Sequence, residues 1–276
     1  MTKHFNTITD QEILDAIKRS GYLLESRIIK MLDETGYWVQ PNYVMKDPIT
    51  GKGREIDIIV EPSPWQSPHS GSLAVRTTFI IEIVNYNSPL VFFTAKTDCD
   101  MSDMFDGIKF ETSGKVNLSE GEILERYKGL KQRGSVFMQY CAFEKKSGNN
   151  SWMAYHPEDL YSSFQKFFYY ISDELERWGQ WTKGSHDEYN RIFFWQPIIC
   201  TAGGIRIVDE TGNMQEVKQL KYEYQYAERD AIGSNSALIT VVTVDELLNF
   251  MNDVMAQDLA IFDELRQKIK MGHSKI

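Results

Sequence analysis

Two short apolar runs, each with an acid set inside it, constrain this chain more than anything else in its sequence. Residues 55–60 read Glu-Ile-Asp-Ile-Ile-Val, and residues 77–84 read Thr-Thr-Phe-Ile-Ile-Glu-Ile-Val. β-Branched and aromatic residues at this density predict strands, placed as a hairpin or as a neighbouring pair. Side chains alternate across a strand, so Glu55, Asp57 and Ile59 are expected together, as are Ile80, Glu82 and Val84. A carboxylate in an apolar strand costs desolvation energy unless a cation or a donor compensates it. Asp57 and Glu82 therefore predict a shared compensator. A divalent ion such as Mg²⁺ suits them, because it takes one or two carboxylates and completes its shell with water and phosphate oxygens. The plainer alternatives are structural ion pairs, Asp57 with Arg54 or Lys52 and Glu82 with Arg76. Glu55 and Glu61 read as rim or solvent-facing residues.

Around these runs the pattern alternates between helix and strand. Thr9 to Glu12 spells a capping box ahead of Ile13, Leu14 and Ile17. A second helix is predicted over 23–35, with Leu24, Ile28, Met31 and Leu32 at helical spacing, Glu25 on its surface and Gly36 as its stop. Residues 37–44 read as a strand in which Pro41 and Asn42 signal an edge or a kink. Residues 47–51 carry turn chemistry, and the prolines and serines of 61–76 predict an exposed loop. Asp98, Asp100, Asp103 and Asp106 form a solvated acidic stretch ahead of a helix over 120–133, and 136–143 is a strand or the end of that helix.

Residues 157–178 predict a helix whose stripe of Leu160, Phe164, Phe167, Phe168, Ile171 and Leu175 belongs to the core. Gly203-Gly204 between the strands 192–199 and 205–209 reads as a hairpin. Two more strands follow at 221–226 and 237–242. A second capping box, Thr243 to Glu246, opens a long terminal helix over 244–270 that packs Leu247, Leu248, Met251 and Met255. Trp178 and Trp181, near Lys183, are candidates for stacking on nucleic-acid bases. The five histidines are scattered and take no assigned role.

Composition narrows the classes further. There is no run of eighteen apolar residues and no charged-then-apolar leader, so neither a membrane span nor a secretory signal is expected. The three cysteines are far apart and odd in number, which fits the reducing cytoplasm better than a disulfide framework or a metal site. A formal charge of -9 means that contact with DNA must come from local basic patches or from metal ions held by carboxylates.

Three stretches carry a resemblance to a known family: Gly21-Tyr22-Leu23-Leu24-Glu25, then Gly36-Tyr37-Trp38-Val39, then Gly51-Lys52-Gly53-Arg54-Glu55-Ile56-Asp57. With Ile80-Ile81-Glu82-Ile83-Val84-Asn85 and its tail to Phe93, the span from about 20 to 95 resembles the PD-(D/E)XK nuclease superfamily. The resemblance implies an α/β fold, a restriction-endonuclease-like mixed sheet flanked by helices, here with additional C-terminal strands and a long terminal helix. It divides the chain into a nuclease core over 1–118 and a helical and β extension over 119–276, packed on that core. It makes Asp57 and Glu82 ligands of Mg²⁺ or Mn²⁺ and Glu25 the family's helical acid. Where the family has its lysine, two residues after the glutamate, this chain has Val84. Lys96, with Lys52 second, is the expected replacement. The implied activity is metal-dependent DNA cleavage, as in a restriction or phage-defence effector. The alternatives are a catalytically degenerate member that keeps the fold to bind DNA or a protein partner, or an interaction subunit or homo-oligomer whose acids are structural.

Overall fold

The computed structural model describes residues 8–62, 73–86, 88–96, 109–113, 136–146, 151–184, 190–227 and 234–273. The front half supplies helices α1 (Asp10–Ser20) and α2 (Tyr22–Glu34), then strands β1 (Tyr37–Lys46), β2 (Gly53–Pro62), β3 (Leu73–Val84), β4 (Leu90–Lys96) and β5 (Lys109–Ser113). The back half supplies β6 (Val136–Lys145), β7 (Trp152–Tyr155), helix α3 (Glu158–Gly184), β8 (Asn190–Thr201), β9 (Ile205–Val208), β10 (Met214–Val217), β11 (Gln219–Ala227), β12 (Ser234–Thr243) and helix α4 (Leu247–His273). The acidic stretch at 98–106 and the predicted helix at 120–133 lie outside the described residues.

The strands form one mixed sheet in the order β1-β2-β3-β8-β12-β11-β6-β4-β9-β10, with β5 on β8 and β7 on β6. β3 and β8 run parallel along their whole lengths, so the strand bearing Glu82 is flanked by β2 on one side and by the back half of the chain on the other. Strand 136–143, left open between two readings by the sequence, is β6. Residues 61–76 are less of a loop than their prolines suggest. β2 continues to Pro62 and β3 starts at Leu73, and Glu61, expected at the rim, is buried.

Helices cover both faces. On the inner face α3 lays Leu160, Phe164, Phe167 and Ile171 against Ile59, Ile80, Phe92, Trp195 and Tyr222. On the outer face α2 contributes Ile28 and Leu32, and α4 contributes Leu247, Phe250, Met251 and Val254, over Ile58, Val60, Phe79, Ile81 and Ile198. Both stripes follow the 3.6-residue period that the sequence displays. Among the described residues no helix is long and apolar enough to cross a membrane.

Local signals behave unevenly. The first capping box forms as predicted: Glu12 N donates to Thr9 Oγ1 at 3.3 Å, and Thr9 N donates to Glu12 Oε2 at 2.8 Å. The second does not. Thr243 turns its hydroxyl onto Asp245 Oδ1 at 2.5 Å, residues 244–246 form a turn, and α4 starts only at Leu247. In the β1–β2 turn the Asp47 carboxylate accepts from Ile49 N and Thr50 N, each at 2.9 Å, and from Arg54 Nε at 2.8 Å.

Gly203-Gly204 is a correction. β8 and β9 are not paired; β9 runs parallel to β4, and the 201–205 segment crosses beside the 84–90 segment. Ala202 N donates to Val84 O at 3.4 Å and Leu90 N to Gly204 O at 3.1 Å. A Cβ on Gly203 would stand 2.3 Å from Ser88 O and 2.7 Å from Tyr86 O. The glycine serves close backbone approach between two segments rather than a tight turn.

Candidate active site

The site begins with a slip in strand alternation. β1 and β2 pair in unbroken antiparallel register from Tyr37↔Pro62 to Lys46↔Gly53, except where Asn42 and Asp57 would face each other. Asn42 is there in the left-handed region, with φ 53°. Ile56 and Ile59 consequently both pack in the inner core, although strict alternation would separate them. Pro41-Asn42 was the sequence signal for this kink.

At the same level β2 and β3 part. Their pairing runs from Val60↔Phe79 to Ile58↔Ile81, and its next step would set Asp57 opposite Glu82. Carboxylates take over where the ladder stops. Ile83 N donates to Asp57 Oδ2 at 2.7 Å, and Asp57 N donates to Glu82 Oε1 at 3.3 Å. The two acids named from the sequence thus bridge the splayed strands, Glu82 holding the backbone of Asp57 and Asp57 holding that of Ile83, the residue after Glu82.

Glu82 shares its face with Ile80 and Val84, beneath α3, and is 3% exposed. Ser163 Oγ donates to Glu82 Oε2 at 2.7 Å. Lys166, one turn further along α3, forms an ion pair with the same oxygen and donates to Glu55 O at 2.8 Å. Burial first, and the Asp57 charge second, push the Glu82 carboxyl up to about 7, against the opposing pull of Lys166 and Ser163. Asp57 is also raised, chiefly by burial, while the Ile83 hydrogen bond and Lys166 act the other way. Glu25, in the first turn of α2, is half-buried and is raised by burial and by the charges of Asp57 and Glu55, with Lys166 again opposing. Three acids, Glu25, Asp57 and Glu82, therefore share the one amine of Lys166, with the Glu55 charge close by, and that local excess of negative charge is what a divalent cation would relieve.

The ion-pair alternatives resolve differently from their sequence assignments. Arg54 pairs with Asp47 rather than with Asp57, and Arg76 pairs with Glu61 rather than with Glu82. Neither lysine chosen as the replacement is the amine at the site. Lys52 is exposed in the β1–β2 turn. Lys96 lies on β4, which four strands separate from β3 in the sheet order. Val84 is 6% exposed and packs in the inner core. Lys166 was missed because it stands 84 positions beyond Glu82 in sequence, on a helix read only for its apolar stripe. A signal was present, since Asp159, Ser163, Lys166 and Tyr170 recur at helical spacing between Leu160, Phe164, Phe167 and Ile171.

The donor set is all oxygen, which suits a hard cation rather than zinc. Among the described residues no group of three or more histidines, cysteines, aspartates or glutamates is arranged to hold a metal by itself. The set fits an ion that takes two carboxylates and completes its shell with water and phosphate oxygens. No family model, no curated protein and no solved structure matches this chain.

Proposed function

We propose that this chain is a metal-dependent nuclease of the restriction-endonuclease-like, PD-(D/E)XK type, hydrolysing DNA phosphodiesters at the Asp57–Glu82 site. The observation that carries the reading is the meeting of Asp57, Glu82 and Lys166 where β2 and β3 part, with Glu25 alongside. An acid pair raised this far is expensive to keep without a cation to offset it. Asp57 and Glu82 would hold Mg²⁺ or Mn²⁺. Such an ion, when bound, supplies a Lewis acid for the phosphate and an acidified water.

The chain's own residues do the rest. Ser163 and the Asp57 amide fix the Glu82 carboxylate in one orientation. Lys166 brings to the site the positive charge that the family resemblance assigns to the position of Val84. In that role it steadies charge building on the phosphate and orients the attacking water. A cytoplasmic setting belongs to the same proposal.

The buried Val84 favours one competing reading, a degenerate member that binds DNA without cutting it. The test is cleavage of plasmid and single-stranded DNA in Mg²⁺ or Mn²⁺, with chelator and with Asp57→Ala. The proposal expects cutting that both controls abolish. Metal-independent cutting, or cutting that survives Asp57→Ala, overturns it, and binding without cutting in the wild type selects the degenerate reading.

A further inference from the structure

The two elements that build the acid site continue past it as two rails. On β2 the rail runs from Asp57 through Ile59 to Glu61, about 13 Å at the rise of a strand. On α3 it runs from Lys166 through Tyr170 to Arg177, about 16 Å at the rise of a helix. Between the rails, with Trp38 and Tyr43 of β1 closing one side, lies an open cleft of about 470 Å³. Its near wall, Ile59 and Tyr170, is only about one helical turn or two strand residues from the acids. Its size is that of a small-ligand pocket.

Aromatic rings and paired charges make up the lining. Trp178 is stacked on Phe193 at a centroid distance of 4.2 Å, and Tyr170 is held edge-on by Tyr43 at 5.3 Å. Trp38, at the lip, is 49% exposed although it is the largest of side chains. The four charges cancel in two ion pairs, Glu61 with Arg76 and Glu174 with Arg177. A phosphate site would carry an excess of arginine or lysine, and a cage for an organic cation would carry uncompensated acid. A neutral lining with flat walls, and with donors and acceptors side by side, fits a neutral planar group with polar edges.

We infer that the cleft takes one unstacked nucleobase of a strand whose neighbouring phosphate lies at the Asp57–Glu82 site, which makes single-stranded or flapped nucleic acid the preferred substrate. This inference rests on the nuclease reading for the identity of the strand. A base inside a duplex is stacked on both faces and offers only its edges, so it cannot enter. A single strand presents its π-faces, and each base that stacks on an aromatic side chain gains about 1–3 kcal/mol, or roughly 5- to 150-fold in affinity.

The test is fluorescence anisotropy of an end-labelled single-stranded oligonucleotide and of the matching duplex, with wild type, Trp38→Ala and Trp38→Phe in Ca²⁺. Cleavage of both substrates in Mg²⁺ is measured alongside. Trp38 sits at the exposed lip, and equal thermal unfolding of the three proteins checks that the fold is kept. The wild type is expected to bind the single strand at least tenfold more tightly than the duplex. Trp38→Ala should weaken single-strand binding at least fivefold and leave duplex binding within twofold, and Trp38→Phe should restore most of the loss. Equal affinity for the two substrates, or a single-strand affinity unmoved by Trp38→Ala, overturns the inference. Duplex cleavage by the wild type with no effect of Trp38→Ala leaves the nuclease reading standing and removes the subsite. Single-strand binding that depends on Trp38 without any cleavage upholds the subsite and removes the nuclease reading.

Discussion

Replacing Glu82 by glutamine should make the protein more stable at neutral pH and not at acid pH. In the unfolded chain this carboxyl loses its proton near the ordinary 4.5, whereas burial and Asp57 hold the folded-state value at about 7. Below 4.5 both states keep the proton and the group costs nothing. Between the two values the unfolded chain releases a proton that the folded chain retains, so stability falls as pH rises. Above 7 the deficit is constant. At about 1.36 kcal/mol per pKa unit it amounts to about 3 kcal/mol. An amide keeps the shape but does not ionise: its oxygen can still accept from Asp57 N while its NH2 donates to the Ser163 hydroxyl, which has Asp159 O at 3.2 Å as its own acceptor. Relieving the Asp57 carboxyl of its charged neighbour acts in the same direction. Asp258, buried on the sheet-facing side of α4 and also pushed up to about 7, titrates in both proteins and cancels in the difference. Urea unfolding of both proteins at pH 4.5, 5.5, 6.5 and 7.5 should give a stability difference that grows by about 3 kcal/mol across the series, whatever fixed offset the amide's NH2 beside Lys166 adds. A difference independent of pH, or one that shrinks toward neutrality, would refute the reasoning.

Three further outcomes follow from the geometry. Lys166→Ala should lower single-turnover DNA cleavage by about 10²-fold or more while circular dichroism stays native, and Lys96→Ala should leave the rate unchanged; the reverse pattern would return the role to β4. Gly203→Ala forces a Cβ to within 2.3 Å of Ser88 O, so it should destabilise by about 1–3 kcal/mol or more in urea unfolding. Met251→Ala empties a fully buried position on the sheet-facing side of α4 and should cost about 2–5 kcal/mol by the same measurement.

The strands and both helical stripes were legible because periodicity is a local property that burial enforces. Asp57 and Glu82 were legible for the same reason, since an acid among isoleucines on a strand needs an explanation. What the sequence hid is long-range. Lys166 reaches Glu82 only because α3 lies across the inner face, and nothing near Val84 announces it. Gly203-Gly204 misled because a glycine pair serves a tight turn and a close crossing equally well, and only the path of the 84–90 segment decides between them. The capping box at Thr243 failed because Asp245, two residues on, competed for the threonine hydroxyl.

The central claim is that Asp57 and Glu82 share a divalent ion, and calorimetric titration with Mn²⁺ at pH 7 tests it most directly. The account predicts one ion per chain, lost in Asp57→Asn. It also predicts proton release, seen as a dependence of the heat on the buffer's ionisation enthalpy, because Glu82 begins the titration near its midpoint of about 7. Binding that Asp57→Asn leaves intact, or no binding by the wild type, would contradict it.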